Sequence, residues 1–379
     1  MSLSTGRAEP IHILTSLRFL PAAWVVLHHY GEALGGDGPI GRILARGATG
    51  VSLFFVLSGF ILAINYPSGK LKARSFLAAR VARIYPLYLF GLVLALPFFF
   101  HGLLYRMSFL DACRETVHQL VLCLLLVQAW LPDRATLLNP AGWSLSAEMS
   151  FYLAFVPVLI WRPTSQLLDR TWVSVPLFWV VGLSLTLTWV LLHPGIHPSV
   201  WLTGDLAWSA HFLSFHPLMR IPEFLLGVAL GRWHLSGGKI AHPGALAAFG
   251  FIVSSAMVLL GGEIWAIFLH NTMAALPYGL LILGLAQCRG RMVDRLERPF
   301  LILLGESSYA LYILHIPIHG WMQYVSGKIG IGTSSPGWFL AYFAVSVIAS
   351  IAAFRWIESP SRRRIRGWLD PAKSKCSVN

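Results

Sequence analysis

Apolar residues run through this chain in stretches of about twenty, matching the roughly 30 Å hydrocarbon core of a bilayer. They fall near residues 11–30, 49–66, 86–104, 143–161, 173–193, 218–234, 243–262, 264–287, 303–325 and 336–357. The pattern predicts ten transmembrane helices. A further apolar piece, 118–131, would reach only about 21 Å as a helix, which is marginal for crossing.

The polar positions between the stretches set the topology. Residues 66–85 carry Lys70, Lys72, Arg74, Arg80 and Arg83; 288–299 carry Arg289, Arg291, Arg295 and Arg298; the tail carries Arg362, Arg363, Arg364 and Arg366. Basic loops gather on the cytoplasmic side. Ten spans, with 118–131 dipping in and returning, put all three clusters inside. The loops holding Arg162 and Arg170, and Arg232 and Lys239, then also fall inside, and the nearly uncharged 194–217 segment falls outside. If 118–131 crosses, one basic cluster is stranded on the wrong side. A second marginal segment, around 200–216, offers another route to even parity. The fold class is therefore an all-α polytopic membrane protein: about ten transmembrane helices, one re-entrant or short helix, and both termini cytoplasmic.

Composition agrees. Of the 379 residues 56% are hydrophobic and 12% charged, against about 25% charged in soluble domains. The net charge of +13 sits mostly in short loops, which accounts for it without nucleic acid. Cys113, Cys123, Cys288 and Cys376 show no metal or redox spacing and read as small hydrophobes or free thiols. Arg18 interrupts the first apolar stretch and no small-residue cleavage site follows, so that stretch reads as a retained span. Without repeats or linkers, residues 1–379 read as one domain, with a core at 11–358 and a basic cytoplasmic tail at 359–379.

Ionisable residues at membrane depth are costly, on the order of 2.5–3.5 kcal/mol on insertion scales, and often mark a functional path. Arg18 and His29 stand eleven residues apart in the first span, about 16 Å along a helix. Either they snorkel and sit at the interface, or they act: Arg18 near the cytoplasm, His29 in the outer half as a proton acceptor near neutral pH. Arg80 and Arg83, three apart, share a helix face. They serve topology or form a double fork for phosphate or pyrophosphate. Ser144, Glu148 and Tyr152 recur every four residues as a polar stripe opening a span on the outer side. Glu148 there either complements a helix N-terminus or orients a histidine. Ser308, Tyr312, His315 and His319 share one face of a late span, and Arg220 and Glu223 open another, with Gly227 and Gly231 as a close-packing face. These last groups read as structural or supporting. No phosphate-binding Gly-Lys loop, zinc HExxH or GxSxG elbow occurs.

Taken together these stretches resemble the membrane acyltransferases of acyltransferase family 3. The likeness covers residues 11 to 366. It rests on Leu17-Arg18-Phe19 with His29, on Gly50-Val51-Ser52-Leu53-Phe54-Phe55-Val56-Leu57-Ser58-Gly59-Phe60, on Arg80-Val81-Ala82-Arg83-Ile84-Tyr85-Pro86 and on Trp143-Ser144-Leu145-Ser146-Ala147-Glu148. Arg220-Ile221-Pro222-Glu223-Phe224, Gly305-Glu306-Ser307-Ser308-Tyr309, Leu314-His315 and Ile357-Glu358-Ser359-Pro360 complete it. The resemblance implies transfer of an acyl group, usually acetyl, from acyl-CoA to a carbohydrate hydroxyl such as that of an envelope polysaccharide, exopolysaccharide or lipid-linked sugar. Acetyl-CoA would be a substrate; no bound cofactor or metal is expected. An SGNH esterase-like domain, carried by many members, is not expected here. The location implied is the bacterial cytoplasmic (inner) membrane.

In the mechanism expected on this basis, Arg80 and Arg83, with Arg18, hold the CoA phosphates at the cytoplasmic mouth. His29 and Glu148 are catalytic: His29 deprotonates the acceptor or is itself acylated first, and Glu148 orients its ring. Ser144, Tyr152, Glu223, Tyr312 and His315 support them. Two rivals stand beside it: a proton-coupled envelope lipid or sugar transporter using the same residues as a relay, and a non-catalytic partner in polysaccharide assembly.

Overall fold

The computed structural model describes residues 11–35, 38–67, 72–194, 204–261 and 263–369. Lys70, Cys376, both chain ends and the tail beyond residue 369 lie outside the described residues. Within them every regular element is helical. Six helices are long and apolar enough to cross a bilayer: Gly47–Asn65, Ala73–Leu104, Pro140–Ile160, Thr171–Leu192, Pro243–Leu260 and Pro336–Ile365. Two bent pairs raise the number to eight: Ala266–Met273 with Ala275–Gln287, bent by 49°, and Pro299–Glu306 with Ser308–Lys328, bent by 55°.

The two other expected spans are helical but do not qualify on length or apolarity. The first is broken at Arg18 into His12–Leu17 and Phe19–Tyr30. The other, Pro217–Leu235, is unbroken but carries Arg220, Glu223 and Arg232.

Two boundaries differ from expectation. Residues 73–85 form no loop: they open the single helix Ala73–Leu104, with Pro86 and Pro97 inside it. The Ala-, Leu- and Arg-rich run before Pro86 favours helix, and the proline's lost backbone bond is tolerated among neighbouring helices. The short helix begins at Phe109 and ends at Leu124, whereas apolarity placed it at 118–131. Ser108 caps it, accepting from the Asp111 amide at 3.2 Å. Its polar first half masked that start. An ion pair from Glu115 to Arg134 then ties it to the following turns.

The Gly50–Asn65 helix is the hub, with 78% of its apolar window buried against 22–28% for four outer helices. Its tightest neighbour is Pro217–Leu235. A Cβ on Gly227 would stand 2.0 Å from the Val56 carbonyl oxygen, and one on Gly231 2.6 Å from that of Phe60. Only glycine permits this backbone contact, as the spacing of the two had indicated. Fully buried, Arg220 and Glu223 form an ion pair at 3.3 Å. Glu223 accepts from the Ser52 hydroxyl at 3.0 Å and the Thr272 amide at 2.7 Å. Arg220 donates to Asn271 Oδ1 at 3.0 Å, to Ser52 Oγ at 3.1 Å and to the His270 carbonyl. Thr272, with φ of +68°, is held in the left-handed region as its amide turns to the carboxylate. The knot pins the broken span to the hub.

Candidate active site

Arg18, Arg80, Arg83, Ser144, Glu148 and Tyr312 line one cavity of about 90 Å³, with the apolar face of the Gly50–Asn65 helix as its wall. Four separate segments converge to make it. Arg18 arrives at the joint between the first two helices, where it is the last residue of one turn and the first of the next. Arg80 and Arg83 come from one face of Ala73–Leu104, Ser144 and Glu148 from the first turns of Trp143–Ile160, and Tyr312 from Ser308–Lys328.

Arg80 is fixed by aromatic rings. Its guanidinium carbon lies 5.6 Å from the ring centre of Tyr66 and 5.7 Å from those of Phe76 and Tyr152, and it donates to the Tyr66 hydroxyl at 3.3 Å. Cation–π contacts of this kind each contribute roughly 0.5–2 kcal/mol, more when desolvated. Arg83, Arg18, Glu148 and Glu358 lie close enough to feel one another's charge. The cavity is thus cationic, with buffering carboxylates beside it.

Glu148 does not pair with His29 in the structure. Its Oε1 accepts from the Ser58 hydroxyl at 3.1 Å and from the Tyr152 hydroxyl. Tyr152 is one helical turn further on, so two members of the stripe read in the sequence bond to each other beside the arginines. This corrects the expected His29–Glu148 pairing. Ser144 donates to the Ala141 carbonyl at 3.1 Å. Glu223 lies behind the cavity in the buried knot.

His29 occupies a second cluster. Its Nδ1 lies 2.9 Å from the Val25 carbonyl, which can only accept, so this nitrogen carries the proton and Nε2 presents a lone pair. The residue is exposed. His28 turns its Nδ1 to the Leu44 carbonyl at 3.3 Å. Tyr30 stacks on His319 with ring centres 3.6 Å apart. The clusters meet through Ser308–Lys328: Tyr312 lines the cavity, and His315, one turn on, has its ring centre 6.1 Å from that of Tyr312 and 5.1 Å from that of His29.

Sequence reasoning passed over Ser58 and Tyr309 as site residues. Ser58 is the one polar side chain on a face of the hub helix whose other members, Val51, Phe54, Phe55, Ile61 and Leu62, also line the cavity. That spacing of three and four was the available signal. Tyr309, which donates to the Ile84 carbonyl at 2.8 Å, closes the cavity from the late span. Among the described residues no cluster of three or more His, Cys, Asp or Glu side chains is set to hold a metal.

The described residues thus form a helical protein of membrane type, with an arginine-lined internal cavity and, one helical turn beyond Tyr312 in its wall, a cluster of histidines. The sequence model of acyltransferase family 3, an acyltransferase domain, matches residues 11–355, and the chain belongs to that family. Acyltransferase MdmB of Streptomyces mycarofaciens is 29% identical, the match covering 92% of this chain and 91% of that protein. Exopolysaccharide production protein ExoZ of Rhizobium meliloti is 28% identical over 86% of this chain and 93% of its own length. O-acetyltransferase OatA of Staphylococcus aureus is 22% identical over 93% of this chain, which spans 57% of OatA. No solved structure matches the chain. The protein is an acyltransferase, and the transporter and non-catalytic readings are set aside.

Proposed function

We propose that the chain transfers an acetyl group from acetyl-CoA to a carbohydrate hydroxyl, as an integral protein of the bacterial cytoplasmic membrane with ten spans and both ends in the cytoplasm. The observation that carries this reading is the convergence of Arg18, Arg80 and Arg83 on one cavity. Guanidinium forks suit phosphate oxygens, and the basic loops beside them are those the charge pattern assigns to the cytosol, where acyl-CoA resides. The relatives named for O-acetyl transfer and for exopolysaccharide production support an acetyl group and a sugar acceptor.

The arginines hold the CoA phosphates, and the thioester arm runs past Tyr312 toward His29. His29 Nε2 takes the acceptor's proton as its oxygen attacks the thioester carbonyl; the C–O bond forms, the C–S bond breaks and the thiolate leaves as CoA. Glu148 acts on the donor side, holding Arg18 and Arg83 in place through its charge while Ser58 and Tyr152 hold it. The test is glycan acetylation by mass spectrometry in a deletion strain complemented with the wild-type gene or with His29→Ala. Acetylation restored by the wild type and absent with His29→Ala is expected; equal restoration by both sinks the assignment.

A further inference from the structure

His315 is completely buried, at 0% exposure, on the Ser308–Lys328 helix. Its Nδ1 lies 2.7 Å from the Tyr312 carbonyl, so that nitrogen carries the ring proton and Nε2 is a bare lone pair. Nε2 has no hydrogen-bond partner among the described residues. A buried acceptor without a donor is costly, and a phenylalanine of similar bulk would avoid the cost. The lone pair therefore needs a donor that is present only at some stage of the reaction.

Of the rings around it, His29 is the closest at 5.1 Å between centres, against 6.1 Å for Tyr312 and 6.2 Å for Tyr30. His29 is in the same tautomer, with Nδ1 tied to Val25 and a lone pair on Nε2. Two lone pairs cannot bond to each other. A proton on the His29 ring would supply the donor that His315 Nε2 lacks.

We propose that His315 is a positioning residue of the acyl-transfer centre, accepting at Nε2 a hydrogen bond from the proton that His29 has taken from the acceptor. The proposal rests on the reading of His29 as the base. The acceptor O–H bond breaks and an N–H bond forms on His29. The ester C–O bond forms as the thioester C–S bond breaks. The proton then passes from His29 to the departing thiolate. His315 keeps its own proton and changes no bonds; its buried, fixed lone pair gives the charged His29 ring an acceptor that stabilises it.

The test uses membrane vesicles from the host strain, which carry the full chain and its own acceptor glycan, with radiolabelled acetyl-CoA. Rates are normalised to the amount of protein. His315→Phe is expected to lower the maximal rate about 10- to 100-fold, the loss of one charged hydrogen bond, with the KM for acetyl-CoA within about twofold of wild type. His315→Gln, whose amide oxygen restores an acceptor, should recover at least about fivefold of that loss. Adding His315→Phe to His29→Ala should cost nothing further, since the two act as one unit. If His315→Phe does not accumulate, His315→Leu takes its place. A wild-type rate in the phenylalanine variant, a glutamine variant as slow as it, or additive losses in the double variant would each overturn the proposal. Wild-type vesicles that move no label from acetyl-CoA would instead overturn the donor reading beneath it.

Discussion

Ser58 and Glu148, ninety positions apart, are joined by a 3.1 Å hydrogen bond across the hub helix and the Trp143–Ile160 helix. Tyr152 donates to the same carboxylate oxygen. The charge that balances the arginine-lined cavity is thus fixed from two helices at once.

Tyr152→Phe keeps the ring over Arg80 and removes only the hydroxyl that steadies Glu148. A hydrogen bond to a charged group contributes about 1.5–3 kcal/mol. We expect kcat/KM for acetyl-CoA to fall about tenfold or more, mainly through KM, in steady-state assays on reconstituted protein. A change confined to kcat would place Tyr152 with the chemistry instead.

Arg80 is held by three aromatic faces, and lysine presents neither a planar fork nor the same stacking surface. Arg80→Lys should therefore raise the KM for acetyl-CoA about tenfold despite conserving charge, which is roughly 1.4 kcal/mol. Isothermal titration with CoA itself gives the check; an unchanged affinity removes Arg80 from the donor site.

His29→Ala removes the exposed imidazole and leaves the cavity untouched. General-base catalysis contributes typically 10²–10⁴-fold. The expected result is a kcat reduced by about that factor with CoA affinity preserved, which separates chemistry from donor binding.

Glu223→Ala leaves Arg220 charged in the interior without its counter-ion. Breaking a buried ion pair costs about 3–5 kcal/mol, while replacing both partners by apolar residues is often close to neutral. The single variant should melt well below wild type in detergent, followed by tryptophan fluorescence, and Arg220→Met with Glu223→Met should recover much of the loss. A single variant as stable as wild type would mean the knot is not structural.

Gly227→Leu inserts a side chain where even a Cβ would stand 2.0 Å from the Val56 carbonyl oxygen. The two helices must then separate, and the expected outcome is loss of folded protein at the size-exclusion step. Gly237, which a Cβ would leave free of contacts but whose φ is +89°, should tolerate alanine with a smaller loss, set by backbone strain alone.

The sequence by itself determined the helices, because a bilayer forces every spanning segment to satisfy its backbone internally and to be apolar along its length. All ten apolar stretches are helical, and Arg18, Arg80, Arg83 and Glu148 stood out because ionisable groups are conspicuous on such a background. Helix ends were less legible: Ala73 and Phe109 start helices in polar sequence, where local propensity and a serine cap act without changing the hydropathy. Only the tertiary structure decided who faces whom. Periodicity gives each residue a face but not the face opposite, so Glu148 was matched by depth to His29, whereas packing against the hub helix turned it to Ser58 and the arginines. For the same reason His315, read as a supporting residue, is seen beside His29 only once Ser308–Lys328 is packed against Phe19–Tyr30.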